Sequence, residues 1–196
     1  MSPLGDLLVV GLGNPGSRYA GTRHNVGTDT VELLASRGDS RLREDSKVSA
    51  RCADVRAGDE RLHLAVPMTY MNESGRAVSQ LLRRHELLDW SRLVVVHDEL
   101  DLEPGVVKVK LAGGLAGHNG LRDITKHLGT QDYARVRIGV GKPPGGADNG
   151  RSWVLSKLSG AAREEMGVAI VRAAEAVEAI AADGVDAAMQ QFNAKG

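Results

Sequence analysis

The stretch GLGNPGSRYAGTRHNVG, residues 11–27, follows the apolar run Leu7-Leu8-Val9-Val10. Its first six residues spell G-x-G-x-x-G, the glycine pattern of a dinucleotide-binding turn. In such a turn the third glycine opens a helix whose N-terminus holds the pyrophosphate. Here Gly16 is followed by SRYAGTRHN, which has no helical apolar period, so the helix starts about ten residues late. The acid expected about 20 residues on would be Glu32, which falls inside that helix. The stretch therefore reads as a buried strand, a glycine-bearing loop carrying Asn14 and His24, and a helix over Asn25–Arg37 with Asn25 as candidate N-cap.

Working outward, Val48–Val55 and Leu62–Val66 alternate in the manner of paired strands, with AGDE (57–60) as the turn of a hairpin. Residues 75–88 read as a helix with Val78, Leu81, Leu82 and His85 facing inward. Leu93–Val96, Val106–Leu111 and Ala134–Val140 read as strands. A glycine-rich loop covers 112–120 and a short helix about 121–128, while GKPPGGADNG (141–150) reads as loop. A long Ala-rich helix spans 160–182, and GVDAAMQQF forms a short final one. Interleaved helices and strands imply an α/β fold, and the hairpin makes its sheet mixed. One domain over residues 1–196 fits the length.

The apolar share is 42% and the aromatic share 3%, so the core must be built from Val, Leu, Ile and Ala. A single cysteine, Cys52, excludes a disulfide framework and a Cys-based zinc site. Cys52 sits in an alternating run and reads as a small buried apolar residue. No run approaches the ~18 apolar residues of a membrane span, and a soluble cytoplasmic protein is the expectation. Net charge is zero, but residues 104–158 hold nine basic against three acidic side chains. Such a segment could face phosphates; charge alone favours a mixed, solvated surface.

Polar groups gather where strand ends meet loops: Asn14 and His24, Asn72 in PMTYMNESG, Asp98 in VVVHDELD, and Asn119 in GHNG. Each has a structural alternative. Asn72 and Asn119 precede helices and could serve as N-caps, Asn14 before Pro15 suits a turn, and His24 could be a satisfied structural histidine. His97, Asp98, Glu99 and Asp101 offer metal ligands, but consecutive strand residues point to opposite faces and do not converge. No G-x-S-x-G nucleophile turn is present. A His–Asp pair without a nucleophile suits general-base activation of water. The carboxylate would fix the imidazole tautomer, and amides could hold a carbonyl and its developing oxyanion. This chemistry points to an ester or amide hydrolase and no further.

Five motifs, in order, carry a resemblance: GLGNPGSRYAGTRHNVG, PMTYMNESG, HDELDL.PG, GG..GHNGLRDI and RVRIGVGKP. Over about residues 6–193 the chain resembles bacterial-type peptidyl-tRNA hydrolases. The resemblance implies a monomeric α/β fold with a twisted mixed sheet between helices, and no metal or organic cofactor. It implies cleavage of the ester joining a peptide to the 3′-terminal ribose of tRNA. By position it makes His24 the catalytic base and Asp98 its partner. Asn14 would tell a blocked α-amino group from a free one, and Asn72 and Asn119 would bind substrate and position water. Tyr19 and Tyr70 would contact the tRNA end, Met71 the peptide, and Lys110 and Arg137 the tRNA 5′-phosphate. The glycine-rich loop and the helix after it would form a mobile lid. Thr28, Val66, Leu115 and Ala116 depart from the family pattern, and Ala116 places a methyl group where backbone freedom is expected. The alternatives are a non-catalytic RNA-binding protein on the same fold, a related hydrolase acting on another ester, and a nucleotide-dependent oxidoreductase.

Overall fold

In the computed structural model, which describes residues 5–194, seven strands form one mixed sheet in the order β2-β3-β4-β1-β5-β7-β6. The strands are β1 Leu7–Gly11, β2 Arg43–Asp45, β3 Ala50–Ala57, β4 Glu60–Pro67, β5 Leu93–Glu99, β6 Val107–Leu111 and β7 Ala134–Gly139. The helices are α1 Val26–Arg37, α2 Ser74–Arg84, α3 Asn119–Leu128, α4 Gly150–Val154, α5 Gly160–Asp183 and α6 Val185–Asn193. β4, β1, β5 and β7 run parallel, and β2, β3 and β6 are antiparallel to their neighbours. The expected α/β class and mixed sheet are thus present.

The central strands are apolar on both faces because helices cover both faces. Val9, Val94 and Val96 pack with Val31, Leu34, Ala173, Val177 and Phe192 in a core shared with α1, α5 and α6. Leu8, Val10, Leu93 and Val95 pack on the other face with Val78, Leu81, Leu121 and Ile124 of α2 and α3. Burying each such side chain contributes roughly 1.5–3 kcal/mol before the entropy of ordering is set against it. Ala169, Ala173, Ala176 and Ile180 of α5 recur at helical spacing and are buried, so small side chains let this long helix lie close to the sheet.

Several boundaries differ from the sequence reading. β5 continues through Glu99, so His97, Asp98 and Glu99 are strand residues. β2 and α4 were not expected. β2 is three mostly exposed residues, too short for an alternating pattern, and α4 is a five-residue helix beside the proline- and glycine-rich loop. Asn25 makes no side-chain cap to α1. His85 lies just past α2 and stacks on His63 with ring centroids 3.7 Å apart, rather than facing the core. Cys52 is only half-buried, packed at the margin of the core that α2 and α3 cover. Among the described residues, no helix is long and apolar enough to cross a membrane.

Candidate active site

The glycines of the opening stretch serve close packing. A Cβ on Gly27 would stand 2.2 Å from the Val96 carbonyl oxygen, and one on Gly11 2.2 Å from the Gly27 oxygen. One on Gly13 would stand 2.2 Å from Thr28 Oγ1. Contacts under 3.0 Å are not tolerated by real side chains, so α1 can begin against the ends of β1 and β5 only because these positions lack one. That placement sets His24, in the 3-10 turn Arg23–Asn25 preceding α1, over the end of β5.

Asn25 completes the loop in a way its capping residue type did not suggest. Its Oδ1 accepts from the Asn14 backbone N–H at 2.9 Å, and its Nδ2 donates to the Asn14 carbonyl at 2.9 Å. Asn14 Oδ1 in turn accepts the Met71 N–H at 2.8 Å. With its oxygen so engaged, the Asn14 side chain presents its two N–H donors to the cleft. Arg23 lies 3.7 Å over the Trp153 ring and donates to Ser156 Oγ, tying the His24 turn to the segment after α4.

His24, Asp98 and His118 form the buried centre, each at most 9% exposed. His24 Nδ1 is 2.8 Å from Asp98 Oδ2, and His118 Nε2 is 2.8 Å from Asp98 Oδ1. His118 Nδ1 accepts the N–H groups of Gly120 and Leu121, at 3.1 and 3.3 Å, and so caps α3. An accepting Nδ1 leaves the proton on Nε2, so neutral His118 donates to Asp98. Burial would raise the Asp98 pKa, but His24 and His118 hold it far below the usual carboxylate range. Burial pulls His24 down, yet the charge of Asp98 and its hydrogen bond outweigh this, and the imidazole lies above its ordinary value. The ionised Asp98 therefore accepts a hydrogen bond from Nδ1–H of His24, leaving Nε2 as the basic nitrogen. Neighbouring His97 is pushed down to about 3 by burial and by His118, so it is neutral at ordinary pH. The ligand atoms of His24, Asp98 and His118 lie within 4.8 Å of one another and could hold a metal ion. Doing so would sacrifice both hydrogen bonds to Asp98, whose normal lengths require no ion.

These groups line a cleft of about 710 Å³. Asn14, Tyr19, Tyr70, Met71, Asn72 and Asn119 all reach it. Asn72 and Asn119 are exposed and cap nothing: α2 has no side-chain cap, and α3 is capped by His118. Their amides are thus available to a ligand, contrary to the capping alternative. Tyr19 and Tyr70 meet edge to face with centroids 6.5 Å apart, and Tyr70 is 57% exposed at the mouth. Ala116, which also lines the cleft, has a φ of +51°, a left-handed conformation that disfavours its methyl group. A second cleft of about 740 Å³ lies between the β3–β4 turn and the C-terminal ends of α1 and α5, where Arg37 already pairs with Glu178.

Lys110 and Arg137 lie outside the cleft on a shared face of β6 and β7. Lys110 Nζ donates to the Gly114 carbonyl at 3.3 Å. Arg137 donates through Nε and NH2 to Glu99 Oε1, at 3.0 and 2.7 Å. The sequence reading does not single out His118, and it names Glu99 only as a possible metal ligand, not as the partner of Arg137. The motif GHNG contains His118, but only its contact with Asp98, twenty residues away, distinguishes it from an ordinary loop histidine.

Comparison with known proteins identifies the family. The family model described as peptidyl-tRNA hydrolase matches residues 8–196. The chain is 48% identical over 191 residues to a peptidyl-tRNA hydrolase of Leifsonia xyli subsp. xyli, covering 96% of this chain and 97% of the relative. It is 42% identical over 186 residues to one from Syntrophomonas wolfei subsp. wolfei, covering 95% and 99%. The crystal structure of peptidyl-tRNA hydrolase from Acinetobacter baumannii superposes with a TM-score of 0.88 at 40% identity, covering 96% of this chain and 94% of the other. The chain belongs to the peptidyl-tRNA hydrolase family and is a hydrolase.

Proposed function

We propose that this chain hydrolyses the ester between a peptide, or an N-blocked aminoacyl group, and the 3′-terminal ribose of tRNA. His24 acts as the base. The observation that carries this reading is the relay His118–Asp98–His24, which leaves His24 Nε2 facing the cleft without a hydrogen-bond partner among the described residues. In this reading Nε2 takes a proton from water as the oxygen attacks the ester carbonyl. Asp98 stabilises the imidazolium that forms. The side-chain amides of Asn14, Asn72 and Asn119 donate to the substrate carbonyls and to the oxyanion. Collapse of the tetrahedral intermediate breaks the bond to the ribose oxygen, which receives the proton from His24. The products are a peptide carboxylate and tRNA with a free 3′-hydroxyl. No covalent intermediate, metal or organic cofactor enters this sequence.

Asn14 supplies selectivity in the same reading. Its inward-facing N–H donors suit the carbonyl of a blocking group or peptide bond and would repel a free ammonium. Tyr19 and Tyr70 offer aromatic surface to the terminal base, and Met71 lines the peptide side. Lys110 and Arg137 hold the tRNA 5′-phosphate without reading sequence, as an enzyme serving every tRNA requires. The protein works as a cytoplasmic monomer, in one domain spanning 1–196; α3, expected as part of a lid, is held in the core by Leu121 and Ile124 and does not serve as one. The test is release of tRNA from N-acetyl-aminoacyl-tRNA and from the unblocked form. Fast cleavage of the blocked substrate alone is expected. Binding of tRNA without cleavage of either substrate would instead identify a binding protein on the same fold.

A further inference from the structure

β6 and β7 place Lys108 opposite Arg137 and Lys110 opposite Arg135, so four cations share one face of the sheet. Arg135 is spent internally: it is 1% exposed, donates to the carbonyls of Gly113, Gly114 and Gln131, and lies 4.7 Å over the Tyr133 ring. Among the described residues, the only carboxylate in ion-pair contact with any of the four is Glu99. Its side chain is 4% exposed and lines the catalytic cleft, while that of Arg137 is 20% exposed. Glu99 occupies only Nε and NH2 of the guanidinium, both through one carboxylate oxygen. The NH1 donors bear no hydrogen bond among the described residues and remain available to an anion. Burial, then Arg137 and Arg135, push Lys110 below its usual range, while Glu99 acts in the opposite sense.

We propose that Glu99 limits the strength of the phosphate clamp formed by Lys110 and Arg137, so that spent tRNA is released. This rests on the reading that the clamp holds a tRNA phosphate. Substrate and product carry the same phosphates. An interaction equally strong with both retains product and does not speed the chemical step. A cluster of cations without an acid would hold a polyanion firmly. A fixed carboxylate beside it, in partly desolvated surroundings, opposes any phosphate that docks there. Glu99 is therefore a positioning residue with a second effect: it orients Arg137 and weakens its grip. Asp98, the next residue, points to the opposite side of the strand and orients the base. One strand end thus sets both the catalytic and the binding charges.

Glu99→Gln tests this, because it keeps the shape and an acceptor for Arg137 but removes the charge. The inhibition constant of deacylated tRNA is expected to fall about fivefold, with KM for N-acetyl-aminoacyl-tRNA falling alike. The log–log salt dependence should steepen by about one. The tightening should appear in the inhibition constant and in KM, and not as faster single-turnover cleavage at saturating enzyme. Glu99→Met, neutral and of similar size, should tighten tRNA in the same way if the Gln variant folds poorly by thermal unfolding. Glu99→Asp, which keeps the charge, should not. In an Arg137→Ala background the gain should vanish. An unchanged or raised inhibition constant in folded neutral variants would overturn the proposal. Should Lys110→Ala and Arg137→Ala leave tRNA affinity and its salt dependence unaltered, the clamp reading itself fails, whatever Glu99 does.

Discussion

His118 Nε2 stands 2.8 Å from Asp98 Oδ1, on the carboxylate oxygen that His24 leaves free. The other His118 nitrogen accepts two backbone N–H groups of α3. The start of α3 therefore fixes the tautomer of His118, His118 fixes the Asp98 carboxylate, and Asp98 fixes His24. A hydrogen bond to a charged group is worth about 1.5–3 kcal/mol. His118→Ala should lower kcat by roughly 10–100-fold while leaving KM within about threefold. Steady-state kinetics on a blocked aminoacyl-tRNA checks this, and a loss confined to KM would place His118 in substrate binding instead.

The pH dependence follows from the same pair. His24 acts as a base only when neutral, and its pKa is raised by the charge and hydrogen bond of Asp98 against the effect of burial. Activity should fall as pH drops through an inflection above the ordinary histidine value of about 6.5. Asp98→Asn removes the raising charge, so the inflection should move downward and the maximal rate should drop. A pH profile of kcat/KM for both proteins measures the shift. In stability the sign is reversed: protonated His24 stabilises the fold below the unfolded pKa, and this contribution disappears as pH rises through the folded one.

The sheet and its helices are legible in the sequence where packing is periodic or continuously apolar. β1, β5, α1, α2 and α5 all lie close to where the pattern places them. The failures have local causes. β2 and α4 are too short for a pattern. Asn25, Asn72 and Asn119 occupy positions that suit capping, but helix α3 found a stronger acceptor in His118, and Asn25 bonds across to Asn14 instead. The site is legible in part. Loop positions beside strand ends nominated His24, Asp98 and three amides, and all five line one cleft. His118 and Glu99 act through partners distant in sequence, on residues 98 and 137, and no spacing rule reveals such pairs.

The glycine pattern of residues 11–27 also has a mechanical consequence. A methyl group at Gly27 would meet the Val96 carbonyl at 2.2 Å, a backbone atom that cannot rotate away. Gly27→Ala should destabilise the fold by about 2–4 kcal/mol and displace the His24 turn. Gly16→Ala meets no atom within 4 Å, but a φ of +97° leaves it a smaller backbone penalty of about 1–2 kcal/mol. Urea unfolding of both variants gives the comparison. Equal losses would show that the backbone near Gly27 yields.

Asp29, in the first turn of α1, is raised to about 6 by burial and by neighbouring Glu32, against the pull of Arg163. A carboxyl raised in the fold stabilises when protonated, below its unfolded pKa of about 3.8. That contribution is lost as pH rises through about 6. At pH 7 the ionised group is a net cost, so Asp29→Asn should stabilise the protein by about 1 kcal/mol. The gain should shrink as pH falls from about 6 towards 4. Thermal unfolding of both proteins across that range reads the effect, and a gain independent of pH would point to another cause.

The role of His24 as base is tested most directly by single-turnover cleavage of N-acetyl-aminoacyl-tRNA with wild type and His24→Ala, with tRNA affinity measured on the same preparations. General-base catalysis of this kind contributes about 10²–10⁴-fold. The variant should therefore lose at least about a hundredfold in the cleavage rate while binding tRNA nearly as well. Cleavage by His24→Ala at close to the wild-type rate would contradict the account and remove His24 from the chemistry.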